Sequence, residues 1–340
     1  MNASISPSET LRGALAGLLD GLPPKQAAAA VDRLIANYRG RTPTDAPVLR
    51  DRSDVAAYAA YRMPATFEAV RSALAGLADA VPGWAPASHV DVGGGTGAAT
   101  WAVAATWDGP RETTVLDWAE PALALGRELA GASGDPVLSG ASWRRAVIGA
   151  ELSLPEVDLV TVSYVLGELT QRARAVVVAE AARAGGSVLV VEPGTPEGYL
   201  RIIEAREALL AAGLRIAAPC PHDGACPIEP GKDWCHFSAR VSRSSLHRQV
   251  KGGSLAHEDE KFAYVAATRL PVSPVSARIT RRPQIRKGLV SLELCERPGA
   301  DAAEGAGPTQ VRATVTKRHG DLYKAARDAA WGDPWPPAQD

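Results

Sequence analysis

The chain has 340 residues, a formal net charge of −1 and only four cysteines. Its length allows one large domain or two ordinary ones, and a hydrophobic fraction of 46% excludes wholesale disorder. Four cysteines are too few for a disulfide scaffold, and the neutral balance excludes a uniformly basic nucleic-acid coat while leaving room for a local patch.

The first residues, Met1–Ser6, show no basic stretch followed by an apolar run. No segment reaches about 18 uninterrupted apolar residues, so no membrane span is expected. Acidic Glu9 and Asp20 come early for an import sequence. These features predict a cytoplasmic protein with reduced thiols.

Residues 1–85 read as an N-terminal helical region. Leu11, Leu15, Leu18 and Leu19 recur at helix spacing, Pro23-Pro24 breaks the run, and Ala27–Ala36 suggests a second helix. Val55–Ala60 and Ala65–Ala80 read as two more, with Pro64 at a permitted first-turn position. From His89 strands alternate with helices. Val90–Val92, Thr113–Leu116, Trp143–Ile148, Val157–Val162 and Ser187–Val191 read as strands. Ala99–Thr106, Pro121–Ala130, Arg172–Ala184 and Glu197–Ala212 read as helices. That alternation predicts an α/β domain over 86–215 with a parallel sheet. The remainder, 216–340, holds all four cysteines, strand-like Gly288–Leu294 and Gln310–Thr316, and a helical Leu322–Ala330.

The first strand runs into Gly93-Gly94-Gly95-Thr96-Gly97. Such a loop brings backbone close to a ligand at a helix N-terminus. Asp117, about twenty residues on, stands where a ribose-binding carboxylate is expected. The loop formally fits a dinucleotide fingerprint, but Asp91 is unhelpful beside a pyrophosphate. An acidic residue there suits S-adenosylmethionine (SAM), which carries an ammonium and a sulfonium. Asp91, Gly93, Gly95, Gly97 and Asp117 are therefore the candidate cofactor residues, with Ser163 at the end of the fourth strand. The stretch resembles the first motif of class I SAM-dependent methyltransferases. Tyr164 either lines the pocket or packs on the next helix. Glu168 and Glu192 read as bases or, more simply, as surface or capping carboxylates. The Asn/Asp-Pro-Pro-aromatic signature of amino-methyltransferases is absent, and the α/β part has no cysteine nucleophile, so no catalytic residue is assigned.

Cys220, Cys226, Cys235 and Cys295 are separated by five, eight and 59 residues. Four thiolates with none left over suit a tetrahedral zinc or a 4Fe–4S cluster, and spacing alone leaves both open beside unligated thiols. His222 and His236 flank them as alternative ligands or supporting groups. Between Lys232 and Lys287 twelve Lys/Arg face four Asp/Glu, a local excess of +8. Arg240, Arg243, His247, Arg248 and Lys251 follow the third cysteine. Arg278, Arg281, Arg282, Arg286 and Lys287 precede the fourth. These runs read as an RNA-binding surface, with Trp234 and Phe237 able to stack on unpaired bases.

Cys220-Pro-His-Asp-Gly-Ala-Cys226-Pro, Trp234-Cys235-His-Phe-Ser238, Glu260-Lys-Phe-Ala-Tyr264-Val265 and Arg282-Pro283 leading to Cys295 carry a family resemblance. So do Tyr58-Ala-Ala-Tyr61-Arg62-Met-Pro64 and Lys317-Arg-His-Gly-Asp-Leu-Tyr323-Lys324. Over roughly residues 55–335 the chain resembles the mitochondrial small-ribosomal-subunit assembly methyltransferase-like family, whose bacterial members are described as rRNA methyltransferases. The resemblance implies a class I, Rossmann-like methyltransferase fold with an added cysteine-ligated region. It implies SAM binding in 86–215, a 4Fe–4S cluster on the four cysteines in preference to zinc, and the small ribosomal subunit or its rRNA as partner. Off the ribosome a monomer is expected.

Overall fold

The computed structural model describes residues 7–18, 29, 31, 52–243, 255–299 and 306–337. Helix α1 (Pro7–Leu18) lays Leu11 and Leu15, one turn apart and buried, against α2 (Arg52–Ala80). Most of the helix expected at Ala27–Ala36 lies outside the described residues.

Helix α2 is continuous across Pro64, where a break between two helices was expected. Val55, Ala59, Met63, Phe67, Val70, Leu74 and Leu77 form one buried stripe at three- and four-residue spacing. The stripe passes straight through Pro64. Burial on both sides offsets the roughly 3 kcal/mol that an interior proline costs.

Five parallel strands follow: β1 (Ser88–Val92), β2 (Glu112–Asp117), β3 (Ser142–Arg145), β4 (Val157–Ser163) and β5 (Gly185–Pro193). Helices α3 (Ala98–Thr106), α4 (Glu120–Gly131), α5 (Pro136–Ser139), α6 (Gln171–Ala184) and α7 (Pro196–Ala211) connect them and lead on. Both faces of the sheet are covered, which is why β4 and β5 read as near-continuous apolar runs.

The sheet then takes β6 (Arg215–Ala218), β7 (Phe237–Ser242) and β8 (His257–Thr268). Strand β8 runs antiparallel beside β5, from Ser187↔Thr268 to Pro193↔Phe262. Its other edge pairs with β6 at one end and β7 at the other. The order β3-β2-β1-β4-β5-β8-β6, with only the late strand reversed against β5, is the class I methyltransferase arrangement of a Rossmann-like sheet. The sheet therefore continues past residue 215, where a domain boundary was expected.

A second, five-stranded sheet contains β9 (Ala277–Ile279), β10 (Gln284–Arg286), β11 (Leu289–Glu296), β12 (Thr309–Thr316) and β13 (Pro334–Trp335). With α8 (Asp321–Asp328) it encloses its own small core around Ile279, Leu292, Leu294, Ala326 and Trp335. No helix among the described residues is long and apolar enough to cross a membrane.

Leu74 is fully buried where α2 meets the first sheet's core. Leu74→Ala should lower unfolding stability by about 2–5 kcal/mol, read as a drop in the urea midpoint at unchanged slope.

Candidate cofactor and metal sites

Strand β1 ends at Val92, and the Gly93 and Gly94 N–H groups donate to the Leu116 carbonyl at 2.7 and 3.1 Å. The loop is thus stitched to β2 before α3 begins. Gly97 has φ 86°, and a side chain there would meet the Trp143 ring at 2.6 Å. Gly95 has φ 55°, and only the Asp117 carboxylate, 3.8 Å away, stands within 4 Å of its missing Cβ. This open side of the loop is where a ligand could approach the backbone.

Asp117 accepts the N–H groups of Gly95 at 2.9 Å and Ala119 at 2.8 Å. Burial raises its pKa, and those backbone donors hold part of the rise back. The adjacent indole of Trp118 is exposed, offering an aromatic face beside the carboxylate. Sequence reading missed Trp118. Its signal was an aromatic residue directly after the acidic end of a strand.

Asp91 was expected to line the ligand side of the loop. It is fully buried below the loop, with Oδ1 accepting from the Thr161 hydroxyl at 2.9 Å and Oδ2 from that of Thr100 at 3.1 Å. Burial pushes its carboxyl up to about 6, against the pull of the two threonines. Thr161 donates to Asp91, so its oxygen takes the Nε2–H of His89 at 2.9 Å. Burial, helped by Arg111, lowers the His89 pKa to about 3 and keeps it neutral. Asp91 thus ties α3 to β4 through the two threonines, while Ser163 is buried at the end of β4.

Tyr164 follows Ser163 with a positive φ of 59°, unusual for a non-glycine residue. Its hydroxyl donates to Glu260 on β8 at 3.1 Å. Burial and Glu260 both push that hydroxyl's pKa up, so it remains a donor. Arg62 of α2 pairs with the same Glu260 at 3.1 Å and sits 5.8 Å from the Tyr164 ring centroid. Three distant segments thus meet at the end of β4, a contact set that sequence alone did not connect. Glu192 is fully buried, paired with Arg201 at 2.6 Å, and accepts the Leu166 N–H. It acts as a cap. Glu168, at the rim, is pushed up to about 7 by partial desolvation and by the charges of Asp117 and Glu192.

The four cysteines line one cavity with an empty volume of about 550 Å3, including its mouth. Cys220, Cys226 and Cys235 come from the loop between β6 and β7, and Cys295 comes from β11. None is disulfide-bonded. The Tyr199 hydroxyl of α7 lies 3.3 Å from Cys226 Sγ, and His222 Nε2 lies 3.4 Å from Cys295 Sγ. Burial raises the Cys220 and Cys235 thiols and pushes Cys295 up to about 12, and neighbouring thiols add to each rise. Among the described residues no group of three or more His, Cys, Asp or Glu side chains could hold a metal ion.

Arg206 and Arg278 are buried beside this cavity. Arg206 donates to the carbonyls of His222 and Gly224 at 2.9 and 2.7 Å, and Arg278 to that of Pro219 at 2.9 Å. Neither has an ion-pair carboxylate among the described residues. Both lower the Cys220 pKa, against its net rise. His236 stacks on Trp234 at 5.3 Å and meets Trp331 edge-on, so it packs rather than points at the thiols.

The basic runs divide. Arg240, Arg243 and Arg281 are ion-paired with Asp259, Glu258 and Asp233 at 3.2, 3.3 and 2.6 Å. Arg282, Arg286 and Lys287 are exposed and have no ion pair among the described residues. His247, Arg248 and Lys251 lie outside the described residues. Phe237 is buried among Phe262, Tyr264 and Trp331, which rules out the expected base stacking by this ring, and Trp234 already stacks on His236.

A family model described as "Mitochondrial small ribosomal subunit Rsm22" matches residues 52–336. The chain is 31% identical over 297 residues to the ribosome assembly protein METTL17, mitochondrial, of Homo sapiens, covering 81% of this chain and 61% of that protein. It is 27% identical over 194 residues to the Rsm22-cox11 tandem protein 2, mitochondrial, of Schizosaccharomyces pombe, covering 45% of this chain and 25% of that one. The chain thus spans less than two thirds of the length of these relatives. Among solved structures, a SAM-dependent methyltransferase from Aquifex aeolicus matches with TM-score 0.40 and 15% identity, covering 64% of this chain and 98% of that one. An O-methyltransferase family protein from Burkholderia thailandensis matches with TM-score 0.43 and 13% identity, covering 57% and 67%. The family description and both relatives' names are mitochondrial, which overturns the cytoplasmic location expected from the N-terminal residues.

The elevated Asp91 pKa has a stability consequence. A folded value of about 6 lies above the unfolded one, so the folded state holds the extra proton between about pH 4 and 6. Stability from this group is full below that window and falls as pH rises through it, by about 3 kcal/mol. Asp91→Asn should therefore be more favourable at pH 7 than at pH 4 by that order, measured as the difference in urea-unfolding free energy from wild type.

Proposed function

The chain belongs to the Rsm22 family of mitochondrial small-ribosomal-subunit proteins, and from that premise we propose that it is a SAM-binding, methyltransferase-like factor acting in small-subunit assembly and translation. In this reading Cys220, Cys226, Cys235 and Cys295 hold a 4Fe–4S cluster, the exposed basic residues contact rRNA, and the protein is a monomer off the ribosome.

The observation that carries the metal reading is the cavity between the two sheets. Thiolates gathered around one cavity repel one another, so they cannot all ionise alone. A polycationic body replacing their protons resolves that conflict, and Arg206 and Arg278 balance the net negative charge left over. The family resemblance favours a cluster body bonded to all four thiols over one zinc ion. Once bound, the cluster supplies a structural clamp between the β6–β7 loop and β11.

SAM, whose part is to carry an activated methyl group, would lie along the open side of Gly95. Asp117 is suited to accept its ribose hydroxyls, and Trp118 to cover its base. Gly93 and Gly97 shape the loop, and Asp91 and Ser163 support it from the buried side.

A second reading, an assembly factor that binds without transferring a methyl group, has its own support. At the end of β4 the hydroxyl of Tyr164 is bound to Glu260, which Arg62 neutralises, and Glu192 is tied to Arg201. No free base faces that position from these residues.

Anaerobic purification should give a brown protein with about four irons and broad absorbance near ~400 nm. Cys295→Ser should lose the iron and lower the melting temperature. A colourless anaerobic protein with one equivalent of zinc would overturn the cluster in favour of zinc. Calorimetry should detect SAM binding that Asp117→Ala abolishes. A folded protein that binds no SAM ends the cofactor half of the proposal. If Asp117→Ala leaves rRNA methylation and subunit assembly intact, the binder reading stands.

A further inference from the structure

The expected basic surface is partly neutralised within the chain, since Arg240, Arg243 and Arg281 already have carboxylate partners. The unpaired cations gather elsewhere. Strand β10 ends at Arg286, and residues 287–288 turn the chain into β11. Arg286 pairs across the hairpin with Leu289, and Leu289 pairs on its other side with Thr316 of β12. Immediately after Thr316, Lys317–His319 forms a single turn, and the Lys317 N–H donates to the Gly288 carbonyl at 3.2 Å. Two turns, 30 residues apart in sequence, are therefore stitched side by side at one end of the second sheet.

Arg286, Lys287, Lys317 and Arg318 all lie on this end, and all are exposed. None has an ion pair among the described residues, whereas the nearby Lys324 is taken by Asp321 and Arg312 by Glu293. Ile285 is 56% exposed beside them. Protection of sheet edges explains charges on strands, but Lys287, Lys317 and Arg318 stand on turns beyond the strand ends. Four like charges held together without counter-charge repel one another, and an anionic partner relieves that repulsion. Exposed cations on two adjoining turns suit a linear polyanion. The two arginines can fork onto phosphate oxygens.

We infer that this end of the second sheet, built from the 286–288 turn and the Lys317–His319 turn, grips the phosphate backbone of RNA. The inference rests on the reading of the protein as a small-subunit RNA partner. It locates that contact and adds Lys317 and Arg318, which the basic-run argument did not include.

The test uses the full chain, loaded as purified anaerobically, and a fluorescein-labelled 20-nucleotide mixed-sequence RNA, single-stranded and duplex. Binding is followed by anisotropy between 50 and 200 mM salt. The variant carries Arg286→Gln, Lys287→Gln, Lys317→Gln and Arg318→Gln, with its melting curve compared with wild type. Each phosphate contact contributes about 0.7 to 0.9 to the slope of log affinity against log salt. The fourfold variant should therefore lose about 3 from that slope, equivalent to roughly a fifty- to 150-fold smaller loss of affinity across the salt range. Arg71→Gln, on a cation paired with Glu68 on α2, should leave the slope unchanged. If wild type binds RNA and the folded fourfold variant keeps its affinity and slope, the location is wrong while the RNA reading survives. If wild type shows no salt-dependent RNA binding at all, the RNA reading itself fails. If polyglutamate competes as well as RNA, this end of the sheet serves an acidic protein and the inference is overturned.

Discussion

Strand β8 is the constraint on which the rest depends. One edge is committed to β5 over seven residue pairs, while the other edge is shared between β6 and β7. The chain that leaves β6 at Ala218 must therefore return to the same edge at Phe237. The intervening loop, with three cysteines, is pinned at both ends onto one strand. The same strand carries Glu260 to Tyr164 and Arg62. The contact set at the end of β4 and the wall of the thiol cavity thus draw on neighbouring residues of one element, Glu260 and 263–265.

Electrostatics organises the two sites differently. Below the glycine loop, a buried carboxylate is met by the Thr161 and Thr100 hydroxyls and the Thr100 N–H, and burial still holds Asp91 up at about 6. Around the cysteines the buried charges are cationic and their hydrogen bonds go to backbone carbonyls. Such guanidiniums keep the loop in shape, with no carboxylate ion-paired to them among the described residues.

The parallel half of the fold was legible because its strands and helices differ in period and length, and the observed bounds of β1, β2, β4 and β5 follow the apolar runs closely. What one sequence hides is pairing between distant segments. Nothing local announces that Glu260 meets Tyr164, or that Lys317 lies beside Gly288. The residues of the glycine loop and the cysteine set were legible because each is clustered or rare, but orientation was not. Asp91 looks like a ligand residue by position, yet its carboxylate is buried and bonded to Thr161 and Thr100. Pro64 misled for the opposite reason: a strong local signal yielded to a buried stripe running through it. The charge count from Lys232 to Lys287 found the excess but not which cations the counted carboxylates Asp233, Glu258 and Asp259 take up.

The placement of Cys295 on a strand of the second sheet, while its three companions lie on the β6–β7 loop, has a topological meaning. Fifty-nine residues separate it from Cys235, and they include β8 of the first sheet and β9 and β10 of the second. Any group bonded to all four thiols closes that span as a covalent ring. By the chain-entropy argument used for cross-links, a ring of this size removes on the order of 4 kcal/mol of freedom from the unfolded chain. Two sheets with separate cores would then melt as one cooperative unit with the group in place and be free to open separately without it.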